Sequence, residues 1–300
     1  MSASVTRPLL LGGLLAGGAL LAQSSEVPLA LNLPTADRMQ YWDLGMSFTH
    51  RFQAPVKDNG KDLYGLDRMA FAGFGFTMGF KPIKGMNLIL SRSALNKTFN
   101  IGFQQQLVDK ERFRMAVRAE RFDEAVPHTV QKQGGVKDVG EIGIFGGSLQ
   151  VPLELFITDD IIFTLVPTYV TRTPTSNFDF KTVTPTQLTP AYTPDQTPPK
   201  KGGGLFNTGV GLRVGFTEAF SFMGEYYPKP SRLPSDTYKS GFALGFSYKT
   251  FKHRFTVLGT NVIGTTGAQV LSGDYADSTF GNGPRSSRYW SLGFNLTRMF

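Results

Sequence analysis

Gly73-Phe74-Gly75-Phe76-Thr77-Met78-Gly79-Phe80 decides the fold. Every second residue is bulky and apolar, and the residues between are glycine or threonine. A strand sends successive side chains to opposite faces, whereas an amphipathic helix repeats every three or four residues. The stretch therefore reads as a strand with one apolar face and one small, polar face. The same period runs outward in both directions. Trp42, Leu44, Met46 and Phe48 precede it; Met86, Leu88 and Leu90, then Phe99, Ile101 and Phe103, then Phe113, Met115 and Val117 follow. Further on come Ile161, Phe163 and Leu165; Val210, Leu212, Val214 and Phe216; Phe220 and Phe222. Phe242, Leu244, Phe246 and Tyr248, the shorter Phe255 and Val257, and Trp290, Leu292, Phe294 and Leu296 complete the series. Residues 139–151 also alternate, with a phase slip near Gly146-Gly147 that predicts a bulge.

About twelve strands result, most near the roughly 9–11 residues that a tilted strand needs to cross a bilayer. Their connections fall into two kinds. Those at 53–69, 121–138, 172–204, 228–238 and 260–287 are long and rich in Pro, Thr, Asp and Gly; 94–97, on the same side, is short. Those at 81–85, 108–112, 152–160, 217–219 and 249–252 are mostly short turns. Long loops at one end and short turns at the other mark outer-membrane barrels. The expected fold is all-β: an antiparallel transmembrane β-barrel with short periplasmic turns and long extracellular loops.

Composition agrees. The 26 Phe and 34 Gly are dispersed, and no apolar run of the mature chain is long enough for a transmembrane helix. The formal charge of +8 includes Arg7, so loss of the leader leaves +7. Lys and Arg form no long cluster, and no nucleic-acid partner is expected. A modest basic excess suits anionic lipid headgroups. The absence of Cys removes disulfides, thiolate metal sites, cysteine nucleophiles and the lipid-attachment residue of a lipoprotein.

Residues 1–24 read as a secretory signal: Arg7 supplies charge, Leu9 to Ala22 form a short apolar stretch, and Ala22-Gln23-Ser24 offers small residues for cleavage after Ala22 or Ser24. Residues 25–40 would lie on the periplasmic side, loose or folded into the lumen as a plug; their composition does not decide. Residues 41–300 form the barrel, and the expected location is the outer membrane of a Gram-negative cell.

Alternation alone does not say which face is wet. The Gly, Ser, Thr and Asn of the polar face suit a confined interior. Tyr41, Trp42, Tyr169, Tyr226, Tyr248, Tyr289 and Trp290 sit near strand ends, where interfacial girdles form. The chain ends in Phe300, in phase with Phe294 and Leu296. A closing strand with a terminal Phe resembles the signal read by the barrel assembly machinery, although Arg298 departs from that pattern.

Leu33-Pro34-Thr35-Ala36, Thr49-His50-Arg51-Phe52 and Leu63-Tyr64-Gly65-Leu66-Asp67 resemble the opening of a bacterial family described only as a membrane-bound β-barrel. The resemblance covers the first third by motif and the rest by pattern. It implies the fold and the location, and no activity.

Charge on the expected lumen face comes from Asp43, Arg51, Arg114, Arg118, Glu120, Glu141, Arg213, Glu225 and Arg254. Such residues either select ions and bind a polar solute or pair with one another and fill the interior. The five Arg against four acids point weakly to anions. His50, Arg92 and Arg121 share the outward phase near the outer rim and would meet lipopolysaccharide phosphates or simply snorkel. Of the three histidines, His50, His128 and His253, His50 faces lipid near the outer rim with no outward Ser beside it, His128 reads as a surface-loop residue with Asp123 and Glu124 nearby, and they do not converge on a metal. No cofactor is expected. The leading function is a narrow channel or transporter for a small polar or anionic solute. A non-conducting scaffold that binds partners through its loops comes second, and an outer-membrane enzyme third.

Overall fold

The computed structural model describes residues 27–52, 56, 66–67, 70–132, 135–171, 204–230, 240–272 and 290–300. Thirteen antiparallel segments form one sheet that closes on itself. They are β1 (Leu44–Phe52), β2 (Ala70–Phe80), β3 (Met86–Ser93), β4 (Phe99–Lys110), β5 (Phe113–Lys132), β6 (Gly135–Gln150) and β7 (Leu153–Phe156). Then follow β8 (Ile161–Val170), β9 (Leu205–Gly215), β10 (Phe220–Tyr227), β11 (Gly241–Lys249), β12 (His253–Thr260) and β13 (Ser291–Met299). β6 and β7 both pair with β5 and with β8, so they are one stave interrupted at Val151-Pro152. Proline cannot donate to a ladder, which explains the break. The barrel thus has twelve staves, and β1 closes it by pairing with β13 from Gly45–Met299 to Arg51–Gly293.

The Phe-rich face points outward. Phe74, Phe76, Phe103, Phe206, Leu244, Phe246 and Phe255 are all exposed on the outside of the closed wall. Thr49, Arg51, Gln104, Glu120, Gln150, Glu225, Thr256 and Asn295 alternate with such residues and are buried. An apolar belt around a polar interior has a stable partner only in lipid. Tyr41, Trp42 and Tyr248 at the short-turn end and Tyr169, Tyr226 and Trp290 at the other are exposed, as girdle residues should be.

Three details differ from the sequence reading. Residues 121–138 are not simply a connection. β5 continues to Lys132 and pairs with β6 beyond the point, near Asp123 and Ser148, where both leave the wall. The two strands project as a ribbon at the long-loop end. The expected bulge near Gly146-Gly147 is absent, because Arg121–Gly147 and Phe122–Gly146 pair in regular register. The register shifts instead between His128 and Thr129, opposite Val139. The apparent slip marks the exit from the wall, beyond which inside and outside no longer impose a phase. Thirdly, the 260–287 connection does not lie wholly outside the barrel: residues 261–272, with the short helix α1 (Gly267–Ser272), turn into the lumen.

The lipid face predicts its own cost of disruption. Leu244→Arg places a cation mid-strand on the outer surface and should destabilise the folded barrel by about 2–4 kcal/mol. Denaturant titration in lipid vesicles measures it, and no change in midpoint would contradict the assignment of the outer face.

Candidate functional site

Residues 27–40 lie inside the barrel. The segment enters at the short-turn end, turns in the lumen, and leaves at the same end into β1. A side chain at Gly45, near the start of β1, would meet both Val27 and Met39, so the two ends of the segment lie side by side. At the turn, Leu29 bridges Pro34 and the Ala30 amide donates to the Leu33 carbonyl. The exit runs through Trp42, whose φ of 67° is a left-handed conformation rarely adopted by a bulky residue.

Glu225 on β10 holds the turn. Its carboxylate accepts the main-chain N–H groups of Leu31 (2.8 Å), Asn32 (2.9 Å) and Leu33 (3.2 Å), and the Tyr227 hydroxyl donates to it as well. The Asn32 amide donates to Tyr227 Oη at 2.8 Å. Arg51, wholly buried on β1, donates to Asn32 Oδ1 (2.5 Å) and Asn295 Oδ1 (2.8 Å), and Asn295 in turn donates to the Leu31 carbonyl. A carboxylate taken out of water needs charge-assisted donors to replace the lost solvation. Glu225 has four.

Further along, the wall continues to address the main chain. The Ala36 amide donates to Glu154 (2.9 Å) and the Met39 amide to Asn87 (2.9 Å). Asn87 donates back to the Asp37 carbonyl, which also accepts from Gln104. Gln104 reaches the Thr35 carbonyl at 3.0 Å, Gln106 the Ala36 carbonyl at 3.1 Å, and Arg254 the Leu29 carbonyl. Arg114 closes the series with an ion pair to the Asp37 carboxylate at 2.6 Å.

Apolar contacts complete the seat. Leu31 and Leu33 are fully buried in a cluster with Val166, Met223, Ala243 and Leu258 of the wall and with Val262, Val270 and Leu271 of the second insert. Glycine clears the way where the segment touches the wall. A Cβ at Gly209 would collide with Leu33, and one at Gly79 with the Gln40 carbonyl. The second insert covers the long-loop side: Thr265 donates to Ser93 (2.6 Å), Gln269 to Thr98 (2.8 Å), and Asn207 to the Leu271 carbonyl (3.0 Å).

The charged residues singled out from the sequence fall as follows. Arg51, Glu225, Arg114 and Arg254 meet the lumen segment directly. Arg213 lies on β9 between Ile162 of β8 and Met223 of β10. Arg118, opposite Gln104 in the ladder, pairs with Glu120 at 2.8 Å. Asp43 lies in the turn before β1, where its amide donates to the Gln40 carbonyl. The side chains of Glu141 and His128 lie outside the described residues. Sequence reading missed Glu154, Asn87, Gln104, Gln106 and Asn295. Glu154 fell within 152–160, which reads as a turn but holds β7; the only signal of the others was inward phase, which they share with every other polar residue of the lumen.

On the outside, His50 stacks on Phe294 (5.0 Å) and meets Phe52 edge-on, so it belongs to the lipid-facing aromatic surface. Arg92 and Arg121 are exposed on that face, and Arg121 pairs with Asp123. The Arg298 guanidinium lies 4.8 Å over the exposed Phe300 ring, which accommodates a cation at an otherwise apolar position. Among the described residues no cluster of three His, Asp or Glu could hold a metal.

The family model described as "Membrane bound beta barrel domain (DUF5777)" matches residues 28–300. The chain belongs to this family. None of the curated proteins matches it in sequence. Among solved structures it is similar to the NanC porin, with 9% identity, 86% of this chain and 98% of that chain covered and a TM-score of 0.45. It is also similar to the COG4313 outer membrane channel from Pseudomonas putida F1, with 10% identity, 89% and 97% covered and a TM-score of 0.44. OmpT of Vibrio cholerae shows 8% identity, 86% and 77% coverage and a TM-score of 0.39.

Two substitutions test the seat. Glu225→Ala leaves three buried N–H groups without their acceptor, and Gly209→Val drives a side chain into Leu33. Each should loosen the segment by about 2–4 kcal/mol, an upper-range cost for groups left buried and unpaired or overpacked. Hydrogen exchange at Leu31–Leu33 reads this directly; unchanged protection in both variants would contradict the contacts described.

Proposed function

We propose that the protein is a narrow outer-membrane channel for small polar or anionic solutes, closed at rest by residues 27–40 together with residues 261–272, which pack on them. One observation carries this reading. The segment is a loop with both ends at the short-turn end, joined to the wall by side chains rather than by a strand ladder. It leaves the lumen without threading past anything and without breaking the barrel. Withdrawal uncovers Arg51, Arg114 and Arg254 on the wall, along with Glu225 and Glu154. A lumen lined by such groups passes polar solutes, with a bias toward anions. In this topology the short turns face the periplasm, and the segment withdraws to that side.

The outward Arg92 and Arg121, with His50 at the same rim, are proposed to face lipopolysaccharide, and Phe300 to serve as the assembly signal.

Planar bilayers test the proposal. The intact chain should be nearly silent. Leu31→Glu/Leu33→Glu, which puts charge into the apolar seat that residues 27–40 share with Val262, Val270 and Leu271 and so unseats both inserts, should open discrete conductance steps with anion preference. Neutralising Arg114 and Arg118 in that background should reduce the preference. Silence of the unseated barrel at every voltage would sink the channel and favour the scaffold reading, in which the long loops hold partners.

A further inference from the structure

The wall reads peptide main chain. Among the described residues, eleven hydrogen bonds run from wall side chains to the backbone of residues 29–39. Five accept N–H groups and six donate to carbonyls. Side chains of the segment contribute much less: Asn32 meets Tyr227 and Arg51, and Asp37 meets Arg114. Glu225, Asn87, Gln104, Asn295 and Glu154 are nearly or fully buried. They are built into the wall on opposite sides of the lumen, and their polar atoms converge on one bent chain.

Donors and acceptors spaced to match alternating N–H and C=O groups do not suit an arbitrary polar solute. A sugar or an inorganic anion offers no such sequence of groups. A peptide does, whatever its side chains, because every residue but proline repeats the same donor and acceptor. Specificity enters where the wall meets side chains of the segment, at Asn32 through Tyr227 and Arg51 and at two further places. The apolar seat of Val166, Met223, Ala243 and Leu258, walled by Gly209, takes two apolar side chains one residue apart, as Leu31 and Leu33 occupy it. Arg114 takes a carboxylate a few residues later, as it takes Asp37.

We propose that the lumen is a peptide-binding site, that residues 27–40 are its resident occupant, and that the solute admitted when they withdraw is a short peptide with two apolar residues flanking one other. The proposal rests on the channel reading for the withdrawal and names the substrate class of that site.

The experiment uses the full-length Leu31→Glu/Leu33→Glu chain in detergent, whose wall is unchanged. The probe is a fluorescein-labelled peptide of residues 27–40 carrying the native leucines, followed by fluorescence anisotropy. Saturable binding is expected. It should be competed by an unlabelled peptide in which the side chains of residues 35 and 38–40 are replaced by alanine with only modest loss, and not by glucose or inorganic phosphate. Wall substitutions Glu225→Ala and Asn87→Ala should each weaken it about tenfold, as loss of hydrogen bonds to the main chain predicts. If the doubly charged variant fails to assemble, deletion of residues 27–40 exposes the same wall for the same measurement. Absence of saturable binding, competition by glucose or phosphate, or indifference to both wall substitutions would overturn the proposal. Binding and conductance fail separately. A silent barrel that binds peptide sinks the channel alone; a conducting barrel that binds none sinks the peptide site alone.

Discussion

A wall of twelve staves encloses more space than its own inward side chains can fill. Eight strands leave an interior that side chains just close, and wider barrels leave a lumen. Everything inside this protein answers that geometric surplus. The chain fills it with two of its own segments, residues 27–40 from the short-turn end and 261–272 from the other. The wall is thinned to glycine where they press on it, at Gly209 and Gly79. The lumen is therefore not a row of wall side chains meeting in the middle. It is a seat shaped around irregular backbone.

Irregular backbone inside a barrel brings a second constraint. Its N–H and C=O groups have no ladder, and each one left unpaired away from water is costly. Asn, Gln and Glu on the inner wall supply the missing partners. Glu225 is the extreme case, because it is both a buried charge and the acceptor of three consecutive amides. Arg51, Asn295 and Tyr227 tie those amides and that carboxylate into one network with Asn32. Each partner solves the other's desolvation, so neither the segment nor the wall is independently at rest in a dry interior. Networks of this kind rigidify when complete and are costly when partly broken.

The fold was legible because alternation has period two over most of the chain, and because Gly and Phe made the two faces so unlike. The outward face of Phe74, Phe76, Leu244 and Phe246 follows from that together with the aromatic residues at the strand ends and the small polar residues of the other face. The ribbon of β5 and β6 was not legible, since beyond Asp123 no wall separates inside from outside and the pattern loses its phase. Nor was the seat. Arg51, Arg114, Glu225 and Arg254 stood out as charged residues on the inner face, but Asn87, Gln104 and Asn295 look like any uncharged lumen residue. What selects them is the position of a segment with no periodicity of its own. Leu31-Asn32-Leu33 even mimics a fragment of strand, although its three amides turn toward one carboxylate instead of to opposite sides. The Leu33-Pro34-Thr35-Ala36 motif that carried the family resemblance falls inside the lumen segment, so the resemblance rested partly on the occupant of the barrel and not only on its wall.

The manner of attachment separates a plug from a structural core. A core strand is held by a continuous ladder, and its removal costs the neighbouring strands their own pairing. Here the barrel ladder closes through β1 and β13 without any contribution from residues 27–40. The segment interacts through side chains carried on strands whose own ladder does not include it. Its two ends emerge together beside Gly45, so its path out crosses no strand and needs no opening of the wall. The turn at Trp42, held in a left-handed conformation, is where the segment's backbone passes into the sheet. Interior polar groups thus hold the loop in the lumen, and its path to the short-turn end crosses no strand. A barrel that needed its filling only for stability would gain from pairing it into the sheet, and this one does not.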